Sequence, residues 1–148
     1  MAESVTSTAN VLAARRSDDN RPSIATLAGI AGLGSDGLRK AVYVHSKLML
    51  IDDAWATVGS CNLHRFSLFG NGELNAAFSD PEIVRAFRVA LFQEHLAQDT
   101  SALDDRAAFQ LFHRIARENR QRHENGDPVW QGLAISLDPT TYGRAVQF

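Results

Sequence analysis

The chain predicts an α/β fold in which a mixed β-sheet carries packed helices. Three observations predict it. The run from Ala41 to Ile51 is rich in β-branched, aromatic and aliphatic residues, as a buried strand is. It is interrupted by Asp52-Asp53 and resumes as Trp55-Ala56-Thr57-Val58 up to Gly59, the pattern of a hairpin. Two later stretches, opening at Pro81 and at Asp104, repeat apolar residues at helical spacing. A length of 148 residues fits one domain with a real hydrophobic core.

Taken in order, residues 1–40 form an irregular first segment, divergent or truncated. Val11 to Arg16 reads as a helix fragment, Ser17 to Ser23 as a turn or loop, and Ile24 to Ile30 as a short apolar stretch running into Gly29, Gly32, Gly34 and Gly37. Those glycines lack the Gly-x-Gly-x-x-Gly order and no clear strand precedes them, so they read as a flexible connection. Residues 41–97 form the core. Its strand is expected over 41–51, with Tyr43, His45, Lys47 and Met49 on one face; side chains two apart on a strand stand about 6.6 Å apart, a spacing suited to one phosphate. Leu63 to Gly72 reads as a loop containing Arg65, Phe66, Leu68 and Phe69, and Glu73 opens the next apolar strand. A helix follows with Asp80 as N-cap and Ile83, Val84, Phe87, Leu91 and Leu96 inward. Residues 98–148 supply a second helix from Asp104 to Arg122, with Ala108, Leu111, Phe112 and Ile115 inward, and a tail containing Trp130, Leu133, Ile135 and Leu137. Arg114, Arg117, Arg120 and Arg122 near that helix end read as a solvated face favoured by the helix dipole.

The chemistry concentrates in His45-x-Lys47-x-x-x-x-Asp52, followed by Gly59-Ser60-x-Asn62. Six specified positions at fixed spacing arise by chance at a given start on the order of once in tens of millions. A neutral imidazole can attack phosphorus and form a covalent phosphohistidine, dividing one displacement into two. Lys47 brings a positive charge, and Ser60 and Asn62 bring neutral donors, toward the non-bridging phosphate oxygens. A histidine used this way needs its second nitrogen held by an acceptor, and Glu73 is the candidate. This scheme calls for no metal and no cofactor. His64, His95, His113 and His123 lack a lysine two residues on and a following Gly-Ser-x-Asn, and read as surface or helix-end residues. Cys61, at the variable position between Ser60 and Asn62, reads as a packing residue.

From Ala41-Val42-Tyr43-Val44-His45-Ser46-Lys47 through Gly59-Ser60-Cys61-Asn62, Glu73-Leu74-Asn75 and Gln93-Glu94-His95-Leu96, the chain resembles the C-terminal half of a phospholipase D superfamily enzyme, nearer its phospholipase D and cardiolipin synthase branches than its small nucleases. The resemblance implies a phospholipase D-type half-domain whose N-terminal part is either divergent or incomplete. It implies a catalytic set of His45, Lys47, Asp52, Asn62 and Glu73, with Lys47, Ser60 and Asn62 binding phosphate and Glu73 orienting His45. Asp52 is expected to shape the hairpin more than to touch substrate. Family members work with two such motifs face to face, so the resemblance also implies a second half-site, from a homodimer or from a missing N-terminal half.

Three functions stay open at this point. One is phosphodiester cleavage or phosphatidyl transfer on a phospholipid, the second is nuclease action as a homodimer, and the third is a non-catalytic half-domain. With Lys+Arg at 15 against Asp+Glu at 17, the net charge of −2 gives no strong nucleic-acid signal and no global pull toward an anionic membrane. One cysteine excludes an intrachain disulfide, and no Cys/His cluster has zinc spacing. The N-terminus has no basic leader or apolar core, and no apolar run approaches the ~20 residues of a membrane span. A cytoplasmic location, membrane-peripheral if the substrate is lipid, is the expectation.

Overall fold

The structure, a computed structural model, describes residues 11–16, 22–24, 28–42, 44–62 and 65–137. Tyr43, His64 and the tail beyond residue 137 lie outside these, and with them the expectations placed on them. In chain order the elements are β1 (Val11–Arg16), β2 (Pro22–Ile24), β3 (Ala28–Leu33), β4 (Arg39–Ala41), β5 (Lys47–Ile51), β6 (Trp55–Gly59), α1 (Arg65–Phe69), β7 (Asn75–Phe78), α2 (Pro81–Leu96), α3 (Asp105–Glu124) and β8 (Ala134–Ser136). A five-stranded sheet runs β2-β1-β5-β6-β7, and a three-stranded sheet runs β4-β3-β8. β1 is parallel to β5 and every other pairing is antiparallel, so the α/β fold with a mixed sheet is as the sequence predicts.

The motif hairpin forms where expected, with Lys47 opposite Gly59 and Ile51 opposite Trp55. Its turn places both Asp52 (φ 51°) and Asp53 (φ 50°) in the left-handed region, closed by Ala54 N–H donating to the Ile51 carbonyl at 2.9 Å. Aspartate tolerates that conformation better than most side chains, which explains the Asp-Asp pair at a tight two-strand connection.

Three expectations about this region are corrected. The single strand over 41–51 is two elements: residues 39–41 pair with β3, and β5 begins only at Lys47. β6 supplies partners back to Gly59 and no further, because the next N–H, that of Ser60, bonds Leu74 on β7's side at 3.0 Å. His45 therefore lies beyond the end of the ladder, two residues before β5 begins. Val11–Arg16 is a strand, since pairing with β5 along Val11–Leu48 to Ala13–Leu50 overrides the helix preference of an Ala-Ala-Arg-Arg segment. Residues 65–69, expected as loop, form the short helix α1.

Two small cores hold the elements together. Leu50, Ala56 and Val84, with Leu48 and Phe78 against them, seat the start of α2 on the main sheet. Phe92, Leu96, Ala108, Leu111, Phe112, Ile115, Ala116 and Ala134 join the end of α2 to α3 and β8. The buried face of α2 is thus Val84, Arg88, Phe92 and Leu96, one residue every four, while Ile83 and Phe87, expected inward, are exposed. Asp80 caps α2 by accepting from Glu82 and Ile83 N–H at 3.1 and 3.2 Å.

Arg88 sits in the seam between the two cores, its side chain fully buried, and explains the rotation of the helix. Its Nε donates to Asp53 Oδ1 at 2.6 Å and its Nη2 to Asp53 Oδ2 at 2.8 Å, while Nη1 reaches buried Thr100 Oγ1 at 3.3 Å and Nη2 the Leu103 carbonyl at 3.3 Å. A buried guanidinium requires such a partner. The hairpin turn is thereby clamped to α2.

In α3 the expected inward residues are buried, joined by Ala116 and Asn119. The Asn119 amide donates to the Gln131 and Ala134 carbonyls at 2.8 and 2.7 Å and accepts from Gln131 N–H at 3.1 Å, docking the tail strand. Arg114, Arg120 and Arg122 form exposed ion pairs with Glu118, Glu124 and Asp127, the solvated face that was expected. His95 lies in the last turn of α2, at a helix end as expected, whereas His113 sits in the middle of α3. Both are half-buried beside Phe112, and His95 Nδ1 and both His113 ring nitrogens are buried with no hydrogen-bond partner.

Candidate active site

The site lies at the open end of the β5–β6 hairpin, opposite the Asp52-Asp53 turn. Because Lys47 pairs with Gly59, the lysine of His45-x-Lys47 and the start of Gly59-Ser60-x-Asn62 meet at the same end of the sheet. β7 adds the third strand there, with Gly59 opposite Asn75. Gly59 is required by space: a Cβ on it would run into Asn75 Oδ1 and the Leu74 carbonyl. With no side chain at 59, the backbone of 74–75 closes against it and Ser60 is drawn over Glu73.

Ser60 links both strands. Its Oγ donates to Glu73 Oε2 at 2.5 Å and accepts from Leu74 N–H at 3.1 Å. The Ser60 hydroxyl, then that of Ser67, hold the Glu73 carboxyl below its usual range; the Lys47 charge acts in the same direction, against partial desolvation. Glu73 is consequently an anion near neutrality, sharing this end of the sheet with Lys47. Lys47 Nζ donates to the His45 carbonyl oxygen at 2.5 Å, so the lysine folds back over the segment that carries the histidine. His45 is exposed, and Asn62 and Cys61 are half-buried.

Of the residues singled out in the sequence, the structure gathers Lys47, Ser60 and Glu73, with His45 joined through its carbonyl to Lys47 and Asn62 two residues from Ser60. It sets Asp52 apart, exposed in the turn at the far end of β5. At a rise of about 3.3 Å per residue, five residues separate it from Lys47 by roughly 16 Å. Asp52 lies in the turn itself, at the opposite end of β5 from Lys47. The clamp onto α2 comes from its neighbour Asp53.

Two contributors were missed by sequence reasoning. Asn75 Oδ1 accepts from Cys61 N–H at 3.1 Å and so fixes the backbone between Ser60 and Asn62. Its sequence signal was its place two residues after Glu73, on the same side of an extended chain. Ser67, the buried residue of α1, contacts Glu73 through its side chain and receives Cys61 Sγ on its carbonyl at 3.6 Å. A single polar residue among Phe66, Leu68 and Phe69 was the available hint. The Cys61 thiol also reaches the Asn62 carbonyl at 3.5 Å, a contact consistent with packing.

Among the described residues, no group of three or more His, Cys, Asp or Glu side chains could hold a metal ion, and no helix is long and apolar enough to cross a membrane. The arrangement offers an imidazole, a cation, a hydroxyl and an ionised carboxylate at one open sheet end, a set able to bind a phosphate and support attack on it.

Comparison with known proteins agrees. The family model described as "Cardiolipin synthase, PLD-like domain" matches residues 9–95, more than half of the chain and including β1 to β4. The chain is similar to phospholipase D zeta 1 of Arabidopsis thaliana, 34% identical over 80 residues, covering 43% of this chain and 7% of that protein. It is similar to phospholipase D alpha 4 of Arabidopsis thaliana, 33% identical over 73 residues, covering 45% of this chain and 10% of that protein. It is also similar to phospholipase D1 of Schizosaccharomyces pombe, 30% identical over 99 residues, covering 54% of this chain and 7% of that protein. The chain spans a tenth or less of the length of these relatives. With the family pattern running from residue 9 through the motif hairpin to the end of α2, the chain belongs to the phospholipase D superfamily, a family of phosphodiesterases, in its cardiolipin synthase, PLD-like domain group.

Proposed function

We propose that this chain supplies one half-site of a phospholipase D-type phosphodiesterase or phosphatidyltransferase acting on phospholipid. The observation that carries the reading is the Lys47–Gly59 register, which brings His45-x-Lys47 and Ser60-x-Asn62 to one sheet end beside Glu73. In the first step a ring nitrogen of His45 attacks phosphorus and an N–P bond forms. The P–O bond to the leaving alcohol breaks, and that oxygen takes a proton from an acid on the far face. In the second step the far-face group, now a base, takes the proton of an attacking water or alcohol; the new P–O bond forms, the N–P bond breaks, and His45 is freed with release of the phosphoryl product or the new ester. Lys47 and Asn62 hold the non-bridging oxygens, while Ser60, whose hydroxyl hydrogen goes to Glu73, fixes that carboxylate beside them. Glu73, whose carboxylate has more acceptor capacity than Ser60 and Ser67 use, stabilises the cationic imidazole.

One imidazole cannot stand on both faces of an in-line displacement, so the reading includes a second half-site, from a second copy of the chain or from another segment of a longer protein. A phospholipid is favoured over nucleic acid because the net charge of −2 offers no basic track for a polyanion. The test is trapping with a labelled phosphodiester, quenched in alkaline denaturant, where the N–P bond survives. Label should appear on the native chain as acid-labile phosphohistidine and be absent from His45→Ala. Label retained on His45→Ala removes His45 from the nucleophile role. No label on the native chain at any concentration, or with a supplied second half-site, favours the non-catalytic half-domain.

A further inference from the structure

We infer that the outward face of α1, together with Leu74, is an anchor that seats the phosphate site on a phospholipid surface bearing anionic headgroups; this rests on the phospholipid reading above. The segment between Ser60 and Leu74 leaves the sheet at the site and returns to it, closed at its base by Ser60 N–H to the Leu74 carbonyl at 3.0 Å and Leu74 N–H to Ser60 Oγ at 3.1 Å. α1 stands at the rim of the site, since its Ser67 meets Cys61 and Glu73.

Its polarity is reversed relative to an ordinary surface helix. Ser67 is turned inward onto Cys61 and Glu73, while Phe66, Leu68 and Phe69 are exposed, Phe69 at 84%, and Leu74 at the base is 82% exposed. Leaving such side chains in water is unfavourable, and a cluster of them at a rim marks an interaction surface. The four side chains together expose on the order of 600 Å², less than the ~800 Å² that each partner contributes to a standard protein interface. A small apolar tip of this kind suits insertion into a lipid layer, where aromatic and leucine side chains enter and cations stay at the headgroups. The charges fit that orientation: exposed Arg65 opens α1 and Lys47 stands at the base of the excursion, both complementary to lipid phosphates.

The test is co-sedimentation of the full chain with vesicles of phosphatidylcholine alone and of phosphatidylcholine containing phosphatidylglycerol. Native chain should partition onto both, more strongly onto the anionic vesicles, and Phe69→Ser/Leu74→Ser should lower partition about ten-fold or more, with circular dichroism unchanged because both side chains are exposed. Arg65→Ala should remove part of the preference for anionic vesicles. Absence of native partition, or equal partition by the double variant, overturns the inference. So does a double variant that converts a lipid-free oligomer into a monomer, since the surface would then be covered by a second copy. His45→Ala should bind vesicles like the native chain. Vesicle binding without phosphohistidine formation would refute the catalytic reading alone, whereas phosphohistidine on a soluble phosphodiester without vesicle binding would refute the anchor alone.

Discussion

Replacing Asp53 with asparagine isolates the contact that fixes the motif hairpin to α2. Asparagine is close in size and accepts the left-handed conformation found at this turn (φ 50°), so the backbone is spared. What is lost is the charge facing Arg88, whose side chain is wholly inaccessible and whose two shortest hydrogen bonds, at 2.6 and 2.8 Å, both end on that carboxylate. Thr100 and the Leu103 carbonyl remain but are neutral acceptors at 3.3 Å. Two charge-assisted bonds at roughly 1.5–3 kcal/mol each, and the general cost of stranding a buried charge, agree on about 3–5 kcal/mol. For a domain whose whole stability is of order 5–15 kcal/mol this is a large fraction. With a urea m-value of about 2 kcal/mol per molar, the midpoint by circular dichroism should fall by roughly 1.5–2.5 M. Arg88→Met should cost less, because the Asp53 left behind is partly exposed and keeps Arg85 at 3.4 Å, and the double variant should recover much of the Asp53→Asn loss. A midpoint shift below about 0.5 M for Asp53→Asn, or strictly additive single and double variants, would refute the clamp.

Gly59→Ala should destabilise by about 1–3 kcal/mol and loosen the Ser60–Glu73 contact, since a Cβ there meets the Leu74 backbone and Asn75; an unchanged urea midpoint would contradict the β6–β7 register. Stability should fall on acidification below about pH 6.5, the ordinary histidine value. Burial lowers the pKa of His95, with Glu94 opposing, and of His113, with Arg117 reinforcing, so the unfolded chain takes up protons first and stability is lost as pH falls through the folded values. His113→Phe should flatten that dependence, and urea midpoints independent of pH between neutrality and about pH 5 would contradict it. Phosphodiesterase activity per chain should rise with concentration as a second half-site becomes available; sedimentation and activity measured across one dilution series check this, and full activity in a strictly monomeric sample would sink the two-half model.

The sequence by itself determined the motif, the hairpin and both long helices. These are written in local chemistry: the His-x-Lys and Gly-Ser-x-Asn spacing, an apolar run broken by Asp52-Asp53, and the cap Asp80, which accepts from the backbone N–H groups where expected. Tertiary structure decided what depends on partners distant in the chain. Val11–Arg16 became a strand because β5 lay open beside it, and His45 fell off the strand because β6 ran out of partners at Gly59. The inward face of α2 buries Arg88, a charged residue, because a carboxylate far away in the chain stands in the hairpin turn to pair with it. The same holds for Ser60, Glu73 and Asn75. Ser60 and Glu73 were legible as site residues and Asn75 was not, but the contacts of all three follow from the absence of a side chain at Gly59, which lets two strands close to hydrogen-bonding distance.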